Sequence, residues 1–474
     1  MDERYSRLVL PVTLLSGCLL AVGVAVCRPG YLSSGRYLGA LIFLQVAVAA
    51  IWNYRQRFFV LLLAVFLWAG MALPLRDAWA SGRWAVLIVG AMVGFVLYLK
   101  DRAHHFGGFH LIGFFCVLAA LISAMVSAFP EQAVLKALSL LLLFLYASSG
   151  ARLTVLGRES KFFNGLLLGC EALAYLSAVS YLGLRFEVFG NPNSLGAVMG
   201  VVVVPILLWG VMVAEGVLLQ RRALAWLIAV FLLLASHARA GIAGGILGCL
   251  VLCLGLRRYR LLFKGVGVTL LLAVLVITIA PLPEEAEGSL ASSFVYKGHR
   301  EEGVLGSRLS VWQRASDDIQ QHPWFGTGFG TSATLAESDD HALGYRSSAV
   351  AIREHGNSYL AIVEWVGLLG VLPFAALVVL VAGKVVRVLA WMRRTRNACS
   401  PAVPIAAVLA AGLLHAAFED WLFAVGYYLC IFFWSCAFVF MDVAPRTTPE
   451  LAASRAPQPP GGWPGRVGLA LPQP

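Results

Sequence analysis

The sequence predicts an all-α, polytopic membrane helix bundle, and three observations carry that prediction. Of the 474 residues 60% are hydrophobic and only 13% charged, with a mean hydropathy of +0.81, more apolar surface than a water-soluble globule can hide. Apolar runs of about 16 to 22 residues alternate with short charged clusters, the length at which a helix crosses the hydrocarbon core with its backbone bonded internally. The basic residues gather in alternate loops, as they do where Lys and Arg are kept on the cytoplasmic side.

About fourteen such runs follow in order, near 8–27, 37–52, 58–73, 84–99, 109–128, 133–149, 163–184, 194–213, 222–236, 240–256, 264–280, 358–383, 401–418 and 421–440. The first begins too soon, and lacks a small-residue cleavage site, for a removed signal peptide, and is expected to remain as a span. With both termini cytoplasmic, Arg55/Arg57, Lys100/Arg102, Arg152/Arg158/Lys161, Arg221/Arg222, Arg257 to Arg260 and Lys384 to Arg396 all fall inside. The short outer loops are then nearly free of positive charge, and the long polar segment 281–357 faces out. Residues 1–442 form one integral domain. Residues 443–474, with Gln458-Pro459-Pro460-Gly461-Gly462, lack an apolar period and are expected to be a disordered cytoplasmic tail.

The net charge of +11 is split among many loops, which fits topology and anionic headgroups of membrane lipids and argues against nucleic acid. Of the nine cysteines, Cys249 and Cys253 are four apart, but no further Cys or His completes a zinc site. No disulfide framework, metal centre or cofactor is indicated.

The outer loop is longer than a connection needs, and such loops tend either to work or to be disordered. Its first part, 281–303, is acidic and expected to be mobile. From Ser307, a plausible cap, Leu309, Trp312, Ala315 and Ile319 recur at spacings of three and four and predict a short amphipathic helix stopped by His322-Pro323. Gly326-Thr327-Gly328-Phe329-Gly330 predicts a tight turn, and the stretch to Tyr345 a flexible excursion.

Four residues stand at the outer boundary where positive charge is otherwise scarce: Arg185, Arg239, Arg308 and His355. Taken singly, each arginine could equally snorkel to a headgroup or pair with a local carboxylate, as Arg185 with Glu187. Together they offer rigid donor forks suited to phosphate oxygens. His355, just before the apolar run at 358, can accept a proton from a sugar hydroxyl, or serve as a helix-start residue. Asn357 and Ser358 are candidate caps. Glu171 and Glu364 lie within helices and are expected to be bonded internally. The adjacent Glu419 and Asp420 do not suit a two-carboxylate glycosidase, because neighbours on a helix do not share a face.

Four motifs in this order resemble the O-antigen ligase and Wzy-type polysaccharide polymerase superfamily, strongest over roughly 181–375. They are Arg185 with Asn191-Pro192-Asn193; Ser236 to Gly241 around Arg239; Ser307-Arg308 with Trp312, Pro323 and Gly326-Thr327-Gly328; and His355 with Asn357-Ser358-Tyr359-Leu360 and Glu364-Trp365-Val366-Gly367. The resemblance implies a GT-C-like ligase fold in a bacterial inner membrane, with an inverting, metal-independent glycosyl transfer on the periplasmic face. It implies an undecaprenyl-diphosphate-linked glycan as donor and a lipid- or polysaccharide-linked acceptor, or a protein hydroxyl in some members. By the same resemblance Arg185 and Arg308, with Arg239, would bind the diphosphate, His355 would activate the acceptor, and Asn193, Asn357 and Tyr359 would support them. The family commonly places Asn directly after the histidine; here Gly356 intervenes. Ligase and polymerase both fit, and a transporter or flippase is the alternative from another class, although Pro205 and Pro373 alone interrupt helices and the ionisable residues cluster at the outer rim rather than the midplane.

Overall fold

The computed structural model describes residues 35–73, 76–100, 106–184, 186, 188–279, 306–331 and 355–445, with scattered positions between 15 and 30. Every regular element among these residues is helical. In chain order they are α1 Gly35–Gly70, α2 Arg76–Lys100, α3 Gly108–Met125, α4 Pro130–Val155, α5 Glu159–Gly183, α6 Pro192–Val213, α7 Gly216–Ala235, α8 Arg239–Gly255, α9 Tyr259–Ile279, α10 Gly306–Gln321, α11 Ser358–Thr395, α12 Ala402–His415 and α13 Tyr428–Val443. Helices α4, α5 and α6 each contain a single π turn.

Seven of the described helices are long and apolar enough to cross a membrane: α2, from Trp79 onward, α3, α4, α5, α6, α7 and α11. Helices α8, α12 and α13 are apolar but shorter. The tally of about fourteen spans is not reproduced. The runs at 37–52 and 58–73 merge into α1, so Arg55 and Arg57 sit within a helix instead of a cytoplasmic loop. Helix propensity through Asn53 to Phe58 is unbroken by Gly or Pro, so nothing local ends the helix there. Most of the run at 8–27, and the stretches 281–303 and 332–354 of the long polar segment, lie outside the described residues, as does the tail from 446.

The 38-residue α11 is two helices joined at Gly367, whose φ of 66° and ψ of −178° break the helical path. The turn predicted at 326–330 fills the break. Leu368 and Leu369 donate their backbone N–H groups to Pro323 and Trp324 at 2.8 and 3.2 Å, while Thr327 and Gly328 donate theirs to Glu364 and Trp365 at 2.9 and 3.1 Å. Ser123 on α3 donates its hydroxyl to the Trp365 carbonyl as well. Backbone groups released by the break are thus satisfied across elements, which buried polar atoms in an apolar setting require. Position 367 must be glycine, both for its positive φ and because a side chain would strike the backbone of Trp324.

Helix α10 ends at Gln321, as His322-Pro323 predicts, and begins at Gly306, so Ser307 lies inside its first turn. Ala315 is buried, Trp312 and Ile319 are half-buried, but Leu309 is exposed. The stripe is therefore shorter than the sequence period suggests, and buried Asp318 joins it instead.

Candidate functional site

The site grows from the start of α11. Asn357 caps it, its side-chain oxygen accepting from Tyr359 N at 2.9 Å and Leu360 N at 3.2 Å. Ser358 is not a cap: it ties the helix to the irregular segment 416–427, donating its backbone N–H to Ala416 O at 2.8 Å and its hydroxyl to Glu419 O at 2.6 Å, and accepting from Leu422 N at 3.1 Å. Tyr359 donates its hydroxyl to Leu413 O on α12 at 2.7 Å. These bonds fix the 416–427 segment beside His355.

His355 is 1% exposed and lies between two carboxylates. Asp420 Oδ2 accepts from the His355 backbone N–H at 2.8 Å and lies 3.3 Å from Nδ1. On the other side of the ring Nε2 is 3.1 Å from Glu364 Oε1, off the line of a straight hydrogen bond, and the edge of Trp365 packs against the imidazole at 5.3 Å between centroids. Burial alone would push the imidazole toward its neutral form, but hydrogen bonds to Asp420 and Glu364, with the charges of both, outweigh it and hold His355 above the ordinary histidine range. Burial pushes the Asp420 carboxyl up, and the hydrogen bonds and charge of His355 more than reverse that, leaving it below the usual carboxylate range.

Arg308, on the first turn of α10, lies against the same segment: its Nη2 is 2.7 Å from Glu419 Oε1, with the arginine side chain 20% exposed. The residue between His355 and Asn357 explains how it gets there. Gly356 has φ +59°, and a side chain on it would collide with the Arg308 guanidinium. The intervening glycine is therefore a notch that seats the Arg308 side chain against the residue next to the histidine, and the ring is fastened by Asp420 in spite of the extra residue.

Arg308 and His355, 47 positions apart in the chain by subtraction of their numbers, are brought together. Arg239 opens α8 half-buried, and α8 packs through Gly241 onto Gly196 of α6, which sets Arg239 at the level of the Asn191–Asn193 turn. Asn191 caps α6, accepting from Asn193 N at 2.8 Å, and Asn193 itself is exposed. Arg185, like Glu187, lies outside the described residues. A cavity of about 330 Å³ borders the Asn191–Asn193 turn, with Tyr181, Ser236 and His237 on its walls.

Sequence reasoning missed three members of the site. Glu419 and Asp420 were set aside as helix neighbours that cannot share a face, yet the segment holding them is not helical and each holds a different partner, Arg308 and His355. Glu364, expected to be bonded internally and set apart from the chemistry, instead faces His355 at 3.1 Å. Glu171, the other helical carboxylate, meets Arg221 at 3.0 Å and Arg222 at 3.8 Å. The signal was available in the residue type: a carboxyl in so apolar a chain needs a partner, and unspent cations stood at the same boundary.

A family model described as Wzy_C, O-antigen ligase, matches residues 223–375, which contain Arg239, Arg308, His355 and Glu364. No curated protein matches the chain.

Proposed function

We propose that this chain transfers a glycan from undecaprenyl diphosphate to an acceptor hydroxyl at the periplasmic face of a bacterial inner membrane, a reading supported by the match of residues 223–375 to the O-antigen ligase family model. The observation that carries this reading is the meeting of Arg308 and His355 across Gly356, with a carboxylate on each.

The acceptor oxygen attacks the anomeric carbon from the side opposite the diphosphate. The glycosidic bond forms as the bond from carbon to phosphate oxygen breaks, and the configuration inverts. Arg308, with Arg185 and Arg239, meets the charge that grows on the departing diphosphate; a preorganised guanidinium is worth most where water is excluded. The diphosphate is a good leaving group, so neither a metal nor an acid is needed to expel it. His355 takes the hydroxyl proton through Nε2, which is the basic nitrogen when Nδ1–H is donated to Asp420. Asp420 then stabilises the imidazolium that forms. Glu364 Oε1, 3.1 Å from Nε2, pairs with the ring once Nε2 has taken the proton.

The acceptor is a lipid- or polysaccharide-linked hydroxyl, and the chemistry is the same whether the product is a ligated or a lengthened chain. His355→Ala and Arg308→Ala should each abolish transfer while leaving membrane abundance unchanged. Near-normal glycan in both would discard the reading. In a deletion strain, surface glycans that are shortened identify a polymerase, and glycans stripped from their acceptor a ligase.

A further inference from the structure

The chain between His322 and Thr331, which fills the α11 break, has two unlike halves. Gly326 to Thr331 are buried throughout, with Phe329 packed on Trp365 and Phe374 at 5.6 and 6.2 Å between centroids. Trp324 and Phe325, directly before them, are 59% and 45% exposed. Two large apolar side chains left open side by side on a polar segment mark a contact surface. Their neighbours identify what covers them. The Trp324 carbonyl accepts from Leu369 N at 3.2 Å and the Pro323 carbonyl from Leu368 N at 2.8 Å, and Leu368, Leu369 and Leu372 are themselves exposed on α11. The open pair therefore adjoins the open face of α11.

Depth follows from charge. Between Glu364 and Lys384, α11 runs for 19 residues, 365–383, without a charged side chain, the length that crosses a hydrocarbon core. Leu368 and Leu369 are the fourth and fifth of these, so Trp324 is bonded near the end of the run closest to His355. Aromatic rings favour that level, an indole with its body among acyl chains and its N–H toward headgroups. Irregular backbone is tolerated there when protein meets its polar groups. Here the bonds to α11 are joined by Gly326 N–H to His322 O at 3.1 Å and Thr331 N–H to Gly328 O at 3.0 Å.

We propose that Trp324 and Phe325 insert into the bilayer leaflet on the His355 side, so that the long polar segment docks on lipid acyl chains as well as on α3 and α11. The inference rests on α11 crossing the membrane along 365–383 and is independent of the transfer chemistry. It gives the turn two jobs. Its outer half meets lipid, while its inner half braces Trp365, the ring that packs on His355.

The test attaches a nitroxide spin label to Trp324→Cys and to Phe325→Cys, one at a time, in the full-length protein in vesicles of phosphatidylethanolamine and phosphatidylglycerol. Cys27 and Cys399, exposed in the parent, are replaced by serine, and the residual signal of the labelled parent is subtracted. Leu372→Cys on α11 supplies the lipid reference, and Gln313→Cys on the exposed face of α10 the water reference. Collision with molecular oxygen, which concentrates among acyl chains, is compared with collision with a water-soluble nickel chelate. The inference expects the oxygen-to-nickel ratio at both positions to match Leu372→Cys and to exceed Gln313→Cys several-fold. Nickel collision at the Gln313→Cys level overturns it. Labels shielded from both colliders also overturn it, because a second copy or another chain then covers the pair. A nickel-accessible Leu372→Cys removes α11 from the hydrocarbon at that level and overturns the inference with it. Should Trp324→Cys fail to accumulate, Phe325→Cys, with Trp324 intact, decides by the same ratio.

Discussion

At one end of α4, Arg152 is 2% exposed and gripped by Asp442 through two bonds, Nε to Oδ2 at 2.6 Å and Nη2 to Oδ1 at 2.9 Å. Its Nη1 reaches Tyr98, Ser148 O and His110. Beyond the other end of α4, where Ser127 bonds Thr331 of the turn that fills the α11 break, lies the group in which His355 sits between two acceptors and Arg308 meets Glu419 with a fifth of its surface open. Both ends hide charge in an apolar bundle. The Arg152 end is a closed, bidentate lock that leaves its guanidinium no donor to lend, and a closed lock stabilises a fold. The His355 end has more carboxylates than straight hydrogen bonds, and a group so poised can exchange a proton or a partner.

The sharpest way to break this contrast is to mutate both ends. His355→Ala and Arg308→Ala should lower transfer by at least ~10²-fold, the usual worth of a positioned base or of a preorganised donor, with abundance and melting unchanged. Arg152→Ala should do the reverse, costing about 3–5 kcal/mol of stability because half-buried Asp442 loses its bidentate partner and the pocket around the buried guanidinium is emptied; thermal unfolding in detergent reads it. Equal stability losses at both ends would erase the distinction.

Arg308→Lys and Arg185→Lys come next. An ammonium replaces a planar fork, so donor binding should weaken even though charge is conserved; titration with a lipid diphosphate measures it. Gly356→Ala should be milder: the positive φ costs about 1–2 kcal/mol for an L residue, and the added methyl pushes the Arg308 guanidinium away, so the Michaelis constant for donor should rise more than turnover falls. Unchanged donor kinetics would mean that Arg308 does not use the notch.

The smallest effect is on pH. The folded-state affinity of His355 for its proton is raised, so the imidazolium's stabilising contribution is full below the ordinary histidine value and is lost as pH rises through the raised one. The base is needed neutral, so transfer should climb over the same window in which stability declines. A rate that falls there would contradict the assignment.

Much of this was legible in the chain. Hydropathy located α2 to α7 and α11, the spacing of Leu309, Trp312, Ala315 and Ile319 located α10, and the scarcity of positive charge expected on one side of the membrane drew attention to Arg308 and His355. The merging of 37–52 with 58–73 escaped because a cluster of charges was read as a loop where nothing local ends the helix; the rest has another cause. The break at Gly367 and the non-helical 416–427 segment are each decided by contacts between distant parts of the chain, such as Thr327 with Glu364 or Ser358 with Glu419, which local periodicity does not encode. The partners of Asp420 and Glu419 depend on those contacts and were hidden with them.

The most direct test of the central claim separates binding from chemistry in purified protein, using an undecaprenyl-diphosphate-linked glycan. The account predicts that His355→Ala binds this donor as wild type does and transfers nothing, whereas Arg308→Ala loses the donor itself. Transfer near the wild-type rate by either variant, or donor binding lost with His355 and kept without Arg308, would contradict it.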